Sequence, residues 1–224
     1  MNKELAFIFD TETTGLVEPQ VVESALLEVT FEGGKLVSGA LLSGLWRPSK
    51  PIELGALATH HILDEELENA PPFSEFALPE NTQYLIGHNI DFDWNVIGKP
   101  NVKRICTQAL ARAALPDLDS HKQSALIYHF FRSDAREMLR NAHSAGDDVI
   151  NCLELLKALL PFFPPVESFE ELWHVSERAR VPKRMYVGKH KGELIAGLPH
   201  AYKMWMLRQP DYDPYVLQAV KESL

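Results

Sequence analysis

The stretch LAFIFDTETTGL, residues 5–16, decides the fold. It opens with a continuous apolar run, Leu5 to Phe9, which predicts a central strand buried on both faces. Asp10 follows the run directly, so its carboxylate is expected at the carboxyl end of the strand, where open α/β sheets place their ligand crevices. Glu12 lies two positions later and points to the same face while the chain stays extended. The stretch predicts two adjacent carboxylates at the edge of a buried sheet.

The pattern outside this stretch predicts an α/β fold with a mixed sheet flanked by helices. Two strands joined by a Gly33-Gly34 hairpin turn come next, and shorter strands and helices then alternate. The predicted strands are 21–31, 35–46, 83–87 and 102–106, and the predicted helices are 54–60, 93–97, 107–114, 123–131 and 149–160.

A proline-rich stretch ends the last of these helices. Pro161, Pro164 and Pro165 stop helical structure and mark a boundary, which divides the chain into a domain at 1–163 and a small C-terminal appendage at 164–224. Within the appendage, residues 169–173 and 199–208 are predicted to be helical, and residues 184–191 a basic turn.

A second acidic motif is HNIDFD, residues 88–93. The strand before it should deliver it to the same sheet edge as Asp10, with Asp93 just inside the following helix. Asp91 lies where an N-cap carboxylate is expected. We therefore assign Asp91 to helix capping and Asp93 to metal binding.

A third motif is HSAGDD, residues 143–148. Ser144 and Asp147 have the spacing of a capping box, with serine at the N-cap and an acidic residue at N3. The helix then starts after Ser144, which puts Asp148 in its first turn and leaves His143 on the preceding loop. Residues five apart do not share a helical face, so this loop is what allows His143 and Asp148 to meet.

The three motifs together predict a metal-dependent nuclease. Hard cations such as Mg²⁺ and Mn²⁺ prefer oxygen ligands, and the four carboxylates of Asp10, Glu12, Asp93 and Asp148 provide them. His143 offers an imidazole nitrogen that can take a proton from an attacking water. Each motif alone also has an ordinary interpretation, as a polar turn or an exposed loop histidine, so the inference depends on the set.

The composition is that of a globular protein with 46% hydrophobic residues and a net charge of −9. Cations bound by the carboxylates would offset part of that charge, so it does not exclude a nucleic-acid partner. Basic residues cluster between 178 and 191, as a phosphate contact or as a solvated face. They are Arg178, Arg180, Lys183, Arg184, Lys189 and Lys191.

Cysteine usage and hydropathy set the expected compartment. Two cysteines are too few for a disulfide framework and fit a reducing cytosol. No stretch approaches the ~20 apolar residues that cross a bilayer. We expect a cytoplasmic protein without a membrane partner.

The motifs resemble those of the DEDDh exonucleases, the DnaQ-like branch of the ribonuclease H-like fold. The resemblance covers residues 5 to about 160 and includes all three motifs in order, with weaker matches at 56–62 and 106–112. It implies that Asp10, Glu12, Asp93 and Asp148 hold two Mg²⁺ or Mn²⁺ ions and that His143 is the general base. It further implies substrate contacts at Thr13, Leu16, His60 and Asn89.

The C-terminal segment resembles the tail module of exodeoxyribonuclease X-like proteins, through residues 187–193 and 202–207. The resemblance implies a 3′→5′ exodeoxyribonuclease that acts on DNA 3′ ends, releases 5′-mononucleotides by two-metal-ion hydrolysis and serves DNA repair. Three alternatives stay open on sequence. They are an RNA 3′-exonuclease of the RNase T or oligoribonuclease type, a polymerase proofreading subunit, and a catalytically dead nucleic-acid-binding domain.

Overall fold

A mixed five-stranded sheet forms the centre of the computed structural model, which describes residues 4–140 and 142–224. The strand order is β3-β2-β1-β4-β5. β1 pairs with β2, and β2 with β3, in antiparallel fashion, while β1–β4 and β4–β5 are parallel. This architecture confirms the predicted mixed sheet. The strands are β1 (Ala6–Thr13), β2 (Val21–Glu32), β3 (Lys35–Leu45), β4 (Tyr84–Gly87) and β5 (Lys103–Cys106).

Nine α-helices are found within the described ranges, together with short 3₁₀ turns. They are α1 (Leu54–His60), α2 (Asp91–Val96), α3 (Thr107–Ala114), α4 (Gln123–Phe130), α5 (Ala135–Met138), α6 (Ala145–Leu159), α7 (Phe169–Arg180), α8 (His200–Met206) and α9 (Pro214–Glu222). Helix α6 lies against β1 and β2, and α7 packs on β5 and α3.

β1 is buried on both faces, as its apolar run predicts. Ile8 belongs to the large core cluster that includes the helix α6, whereas Phe7 and Phe9 belong to a second cluster with Leu85 and Ile90. Alternating side chains of β1 therefore pack into two apolar layers, one on each face of the sheet, as expected for a central strand that is covered on both sides.

The carboxyl end of β1 differs from the prediction. Asp10 and Glu12 lie inside the strand, which continues to Thr13. The reason is the antiparallel neighbour: β2 stays paired with β1 along this whole segment, with Asp10 opposite Ala25 and Glu12 opposite Glu23. The parallel neighbour β4 pairs only from Ala6 to Ile8. Asp10 therefore lies beyond the last residue of β1 that pairs with β4.

The C-terminal part of the chain contributes to two cores. Phe169, Leu172 and Val175 of α7 join the large cluster beneath the sheet. Met185 and Met206 centre a separate small cluster built from the segment 181–220. α7 is longer than the predicted 169–173, and it packs with the first predicted domain. The division at 163/164 stays a prediction about separable units.

Helix α9 was not predicted, although a local signal for it exists. Asp213 accepts hydrogen bonds from the main-chain N–H groups of Tyr215 and Val216 at 2.8 and 3.2 Å, and Pro214 occupies the first helical turn. Aspartate at the N-cap followed by proline is a favoured helix start.

Two further features of the fold concern membrane-spanning helices and the cysteines. No helix in the described ranges is long and apolar enough to cross a membrane. Cys106 and Cys152 are free and buried, and burial raises the pKa of the Cys152 thiol above its ordinary value.

Candidate metal centre

The predicted acidic residues meet at the end of β4, beside the start of α6. Ligand atoms of Glu12, His143 and Asp148 all lie within 4.8 Å of one another. Asp10 is close enough to Asp93 and Asp148 for their charges to act on its carboxyl group. The structure therefore brings together five side chains that lie up to 138 residues apart in the chain, from Asp10 to Asp148.

Burial and mutual repulsion shift the ionisation of the cluster. Burial, and then the negative charges of Asp93 and Asp148, raise the pKa of Asp10 well above its ordinary value. Burial raises the pKa of Glu12 to about 8, with further contributions from Asp148 and Glu23. Crowded carboxylates of this kind are stabilised in their charged form when a cation neutralises them. The electrostatics are those of a cation site.

Asp93 is held directly against β1. Its Oδ1 accepts hydrogen bonds from the main-chain N–H of Thr11 at 3.0 Å and from the Thr11 hydroxyl at 2.7 Å. Burial raises the pKa of Asp93 to about 7, although the two Thr11 hydrogen bonds act to lower it. The end of β4 also lies tightly against β1 at Gly87, where a Cβ would be 2.8 Å from the Phe9 carbonyl oxygen.

The assignment of Asp91 to helix capping is wrong. α2 begins at Asp91 itself, with Ile90 in the N-cap position and no side-chain cap. The Asp91 carboxylate pairs instead with Arg104 and, at 2.5 Å, with Arg180. It ties α2 to β5 and α7, contacts that the local pattern around residue 91 did not indicate.

His143 lies on an exposed turn in front of α6, as predicted. Its backbone is left-handed, with φ of 70°, and its main-chain N–H donates to Asp148 Oδ2 at 3.2 Å. Burial raises the pKa of Asp148, and this hydrogen bond opposes the rise. Asp148 thus fixes the turn that carries the histidine.

The predicted capping box is wrong, although the helix starts where it was placed. Ser144 has the N-cap position without a side-chain cap. The acceptor at this helix end is Glu23 of β2, which receives the Ala145 N–H at 2.9 Å and the Ser144 hydroxyl at 3.5 Å. Sequence reasoning missed Glu23, which is one of three glutamates in β2 and carries no local signal that distinguishes it from the other two.

Gln123 is a second residue that the sequence did not reveal. Its side-chain amide donates to both the Oδ1 and the carbonyl oxygen of Asp148, each at 3.1 Å. It lies at the start of α4, 25 positions before its partner. Glu23 and Gln123 are therefore supports that orient the cluster from neighbouring elements.

The four predicted substrate contacts lie in different environments. Leu16 is 81% exposed, and Asn89 is exposed with a left-handed backbone. Thr13 is buried, and its hydroxyl donates to the Gly15 carbonyl at 3.0 Å. His60 is also buried, and its Nε2 has no hydrogen-bond partner among the described residues. Burial lowers the pKa of His60, and the nearby His143 acts in the same direction.

Comparison with known proteins gives relatives by sequence, although no family model matches the chain. The chain is 34% identical over 113 residues to exodeoxyribonuclease 10 of Escherichia coli. The aligned segment covers 50% of this chain and 49% of the relative. It is 29% identical over 191 residues to the 3′–5′ exonuclease DinG of Staphylococcus haemolyticus, covering 77% and 20%. The match to exodeoxyribonuclease 10 thus spans about half the length of that relative.

Solved structures share the fold. A structure of exonuclease X in complex with 5′-overhanging duplex DNA matches with a TM-score of 0.55 and 24% identity, covering 75% of this chain and 99% of that one. Exonuclease I matches with a TM-score of 0.57 and 18% identity, covering 80% and 44%. These likenesses show that the chain shares the fold of these exonucleases and that part of its sequence is similar to exonucleases.

Proposed function

We propose that the chain is a 3′→5′ exodeoxyribonuclease that releases 5′-mononucleotides and uses two divalent cations, Mg²⁺ or Mn²⁺. One observation carries the proposal: Glu12, Asp148 and His143 offer ligand atoms within 4.8 Å of one another at the cluster that also holds Asp10. A general base beside a carboxylate cation site is the combination that phosphodiester hydrolysis needs.

The donor set fits divalent cations. Asp10, Glu12, Asp93 and Asp148 present carboxylate oxygens, which hard cations prefer, and burial with mutual repulsion disfavours their charged forms when no cation is present. When bound, two cations stabilise charge on the attacking and leaving oxygens of the phosphodiester.

The side chains of the protein supply the proton transfer and the orientation. A water oxygen attacks the phosphorus of the terminal nucleotide, and a ring nitrogen of His143 takes the proton of that water. The bond from phosphorus to the 3′ oxygen of the preceding nucleotide breaks, and this oxygen keeps the bonding electrons and takes a proton from solvent water. His143 reaches the site from an exposed turn held by Asp148. Leu16, which is 81% exposed beside the acidic strand, is available to contact the terminal nucleotide.

The relatives support DNA as the substrate, since one is an exodeoxyribonuclease and the exonuclease X structure is a complex with 5′-overhanging duplex DNA. The free, buried cysteines fit action in the cytoplasm.

The test is hydrolysis of labelled single-stranded DNA and RNA side by side, with Mg²⁺ and with EDTA. We expect stepwise shortening of DNA from its 3′ end, mononucleotide products and no reaction in EDTA. Asp10→Asn and Asp93→Asn should each abolish the reaction. Asp147→Asn, which changes the same charge one residue from Asp148, is the matched control and should stay active. Faster shortening of RNA than of DNA would contradict the substrate assignment.

A further inference from the structure

Four ring side chains form a row on the surface of the C-terminal part. Tyr202 and Trp205 are stacked, with ring centroids 5.3 Å apart and planes at 23°. His190 packs on Tyr202 at 4.5 Å, and Tyr212 meets Trp205 edge-on at 6.3 Å. Trp205 is 47% exposed. The row therefore presents an aromatic face to solvent in a fixed orientation.

The small C-terminal core holds this row in place. On α8, Met206 is fully buried, and Lys203 is only 4% exposed. The Lys203 ammonium donates to the carbonyl oxygens of Ala196 and Ser223, both at 3.0 Å. Because α8 is fixed from within, a ligand that stacks on Trp205 loses little free energy in ordering the protein.

Unpaired lysines border the row. The Lys189 ammonium lies 5.0 Å from the centroid of the Tyr202 ring, and Lys191 lies in the same turn. Gly188 and Gly192 have φ of 75° and 90°, which lets the backbone reverse around these lysines. Across residues 4–140 and 142–224, neither lysine forms an ion pair with a carboxylate.

Two arginines of the cluster at 178–191 are not equivalent to these lysines. The Arg180 side chain is 3% exposed and pairs with Asp91 and Glu177, so it serves the fold. Arg184 donates to the Gly192 carbonyl and shapes the turn itself. Within the cluster, Lys189 and Lys191 lie in the turn that borders the rings, with Lys189 over the Tyr202 ring.

We propose that Trp205, Tyr202, Lys189 and Lys191 form a second contact for single-stranded nucleic acid, away from the acidic cluster. Unpaired bases stack on the two rings while the lysines bind phosphates, a combination that single-strand binding surfaces use. Paired bases keep their faces covered, so the surface selects a single strand. The inference rests on the proposed function, which supplies the strand.

The test is binding of fluorescein-labelled dT20 and dT4 to the full chain, measured by anisotropy in EDTA at several salt concentrations. Trp205→Ala should weaken dT20 binding about 5- to 100-fold, the loss of one or two stacked bases. The double change Lys189→Ala with Lys191→Ala should lower the salt slope by about 1.4, the value for two phosphate contacts to a single strand. Tyr128→Ala and Lys221→Ala, exposed residues on α4 and α9, are the matched controls and should leave dT20 binding unchanged.

Several results separate this inference from the proposed function. Mg²⁺-dependent hydrolysis of dT4 by Trp205→Ala should equal that of the unmodified chain, because the acidic cluster is intact. Unchanged dT20 affinity in Trp205→Ala together with an unchanged salt slope in the lysine variant would overturn the second contact. A chain that hydrolyses no DNA but binds dT20 through Trp205 would retain the contact and lose the proposed function. If Trp205→Ala fails to fold, the lysine variant and Trp205→Phe test the second contact instead. Trp205→Phe keeps an aromatic ring at this position and should bind dT20 as the unmodified chain does.

Discussion

Glu23 accepts a 2.9 Å hydrogen bond from the main-chain N–H of Ala145, 122 residues further along the chain. Glu23 lies on β2 directly opposite Glu12, so one carboxylate of the strand pair faces the candidate cation site while the other holds the start of α6. Ala145 follows the turn that carries His143. The side chain of Glu23 therefore couples the acidic strands to the position of the proposed base.

Removal of the Glu23 side chain should displace the base without removing a cation ligand. We expect Glu23→Ala to lower kcat roughly 10- to 100-fold, the effect of small misplacements, with KM and cation affinity nearly unchanged. Glu23→Gln should restore much of the rate, because its amide oxygen still accepts the Ala145 N–H. Steady-state kinetics with calorimetric Mn²⁺ titration measure both. Loss of Mn²⁺ binding in Glu23→Gln would instead identify Glu23 as a ligand.

The raised carboxyl pKa values predict how stability depends on pH without metal. The pKa values of Glu12 and Asp93 are about 8 and about 7 in the folded chain and about 4 when unfolded, so the folded state binds more protons between these values. Their contribution to stability is complete below about pH 4 and is lost as the pH rises through 7 to 8. Asp10→Asn should flatten the decline in stability, because it removes a carboxyl group whose own pKa is raised by burial and by the charges of Asp93 and Asp148.

Urea unfolding in EDTA at pH 5.5 and 8.5 measures the effect, with the difference between the unmodified chain and Asp10→Asn as the readout. Added Mg²⁺ should raise stability most at the higher pH, where the carboxylates are charged. Equal pH dependence in both proteins would contradict the repulsion between these groups.

The proposed role of His143 as the general base is best tested by substituting the residue with asparagine. Its backbone φ of 70° is unfavourable for most residues but tolerated by asparagine, whereas alanine adds backbone strain of about 1 kcal/mol. We expect His143→Asn to fold normally and to slow hydrolysis about 10²- to 10⁴-fold with little effect on binding. A thermal melt and a kcat profile from pH 6 to 9 check this. An unchanged profile would mean that another group takes the proton.

Truncation at two positions tests whether α7 is needed for the large core to fold. The proline boundary predicts that a chain cut after Pro165 folds, but this cut removes Phe169 and Leu172, which are 1% and 0% exposed in the large core. Each contributes about 1.5–3 kcal/mol by burial. We therefore expect that cut to unfold the chain, and a cut after Pro182, which keeps α7, to leave a folded protein that still cleaves dT4. Circular dichroism melts of both pieces decide. A cooperative melt of the shorter piece at the temperature of the full chain would support separable units at 163/164.

Asp91 is a structural residue whose removal should lower stability. Asp91→Ala leaves the Arg180 guanidinium buried with fewer partners, for which we expect a loss of about 1–3 kcal/mol, below the usual range for a buried pair because Asp91 itself is half-exposed. Urea unfolding measures this loss, and Arg104→Ala, which removes the more exposed arginine, is the matched comparison. Unchanged stability in Asp91→Ala would contradict the structural role.

The features of this protein that could be predicted from its sequence are those that depend on the local order of apolar and polar residues. The apolar run at Leu5–Phe9 and the start of α6 after Ser144 followed from hydrophobic order and spacing, and the gathered carboxylates followed from family motifs. The contacts of Asp91 with Arg180 and of Glu23 with Ala145 did not, because the partners lie 89 and 122 residues apart and neither leaves a local signal. The end of β1 was misplaced for the same reason, since the distant strand β2 sets it.

The burial of both cysteines makes the folded chain a convenient object for site-specific labelling. Cys106 and Cys152 are 6% and 2% exposed, and the raised pKa of the Cys152 thiol keeps its reactive thiolate scarce. Maleimide reagents should therefore leave the native protein untouched. A cysteine introduced by Leu16→Cys or Trp205→Cys would be the single accessible thiol, which allows a fluorophore or a cross-linker to be placed at either end of the expected nucleic-acid path without first removing the natural cysteines.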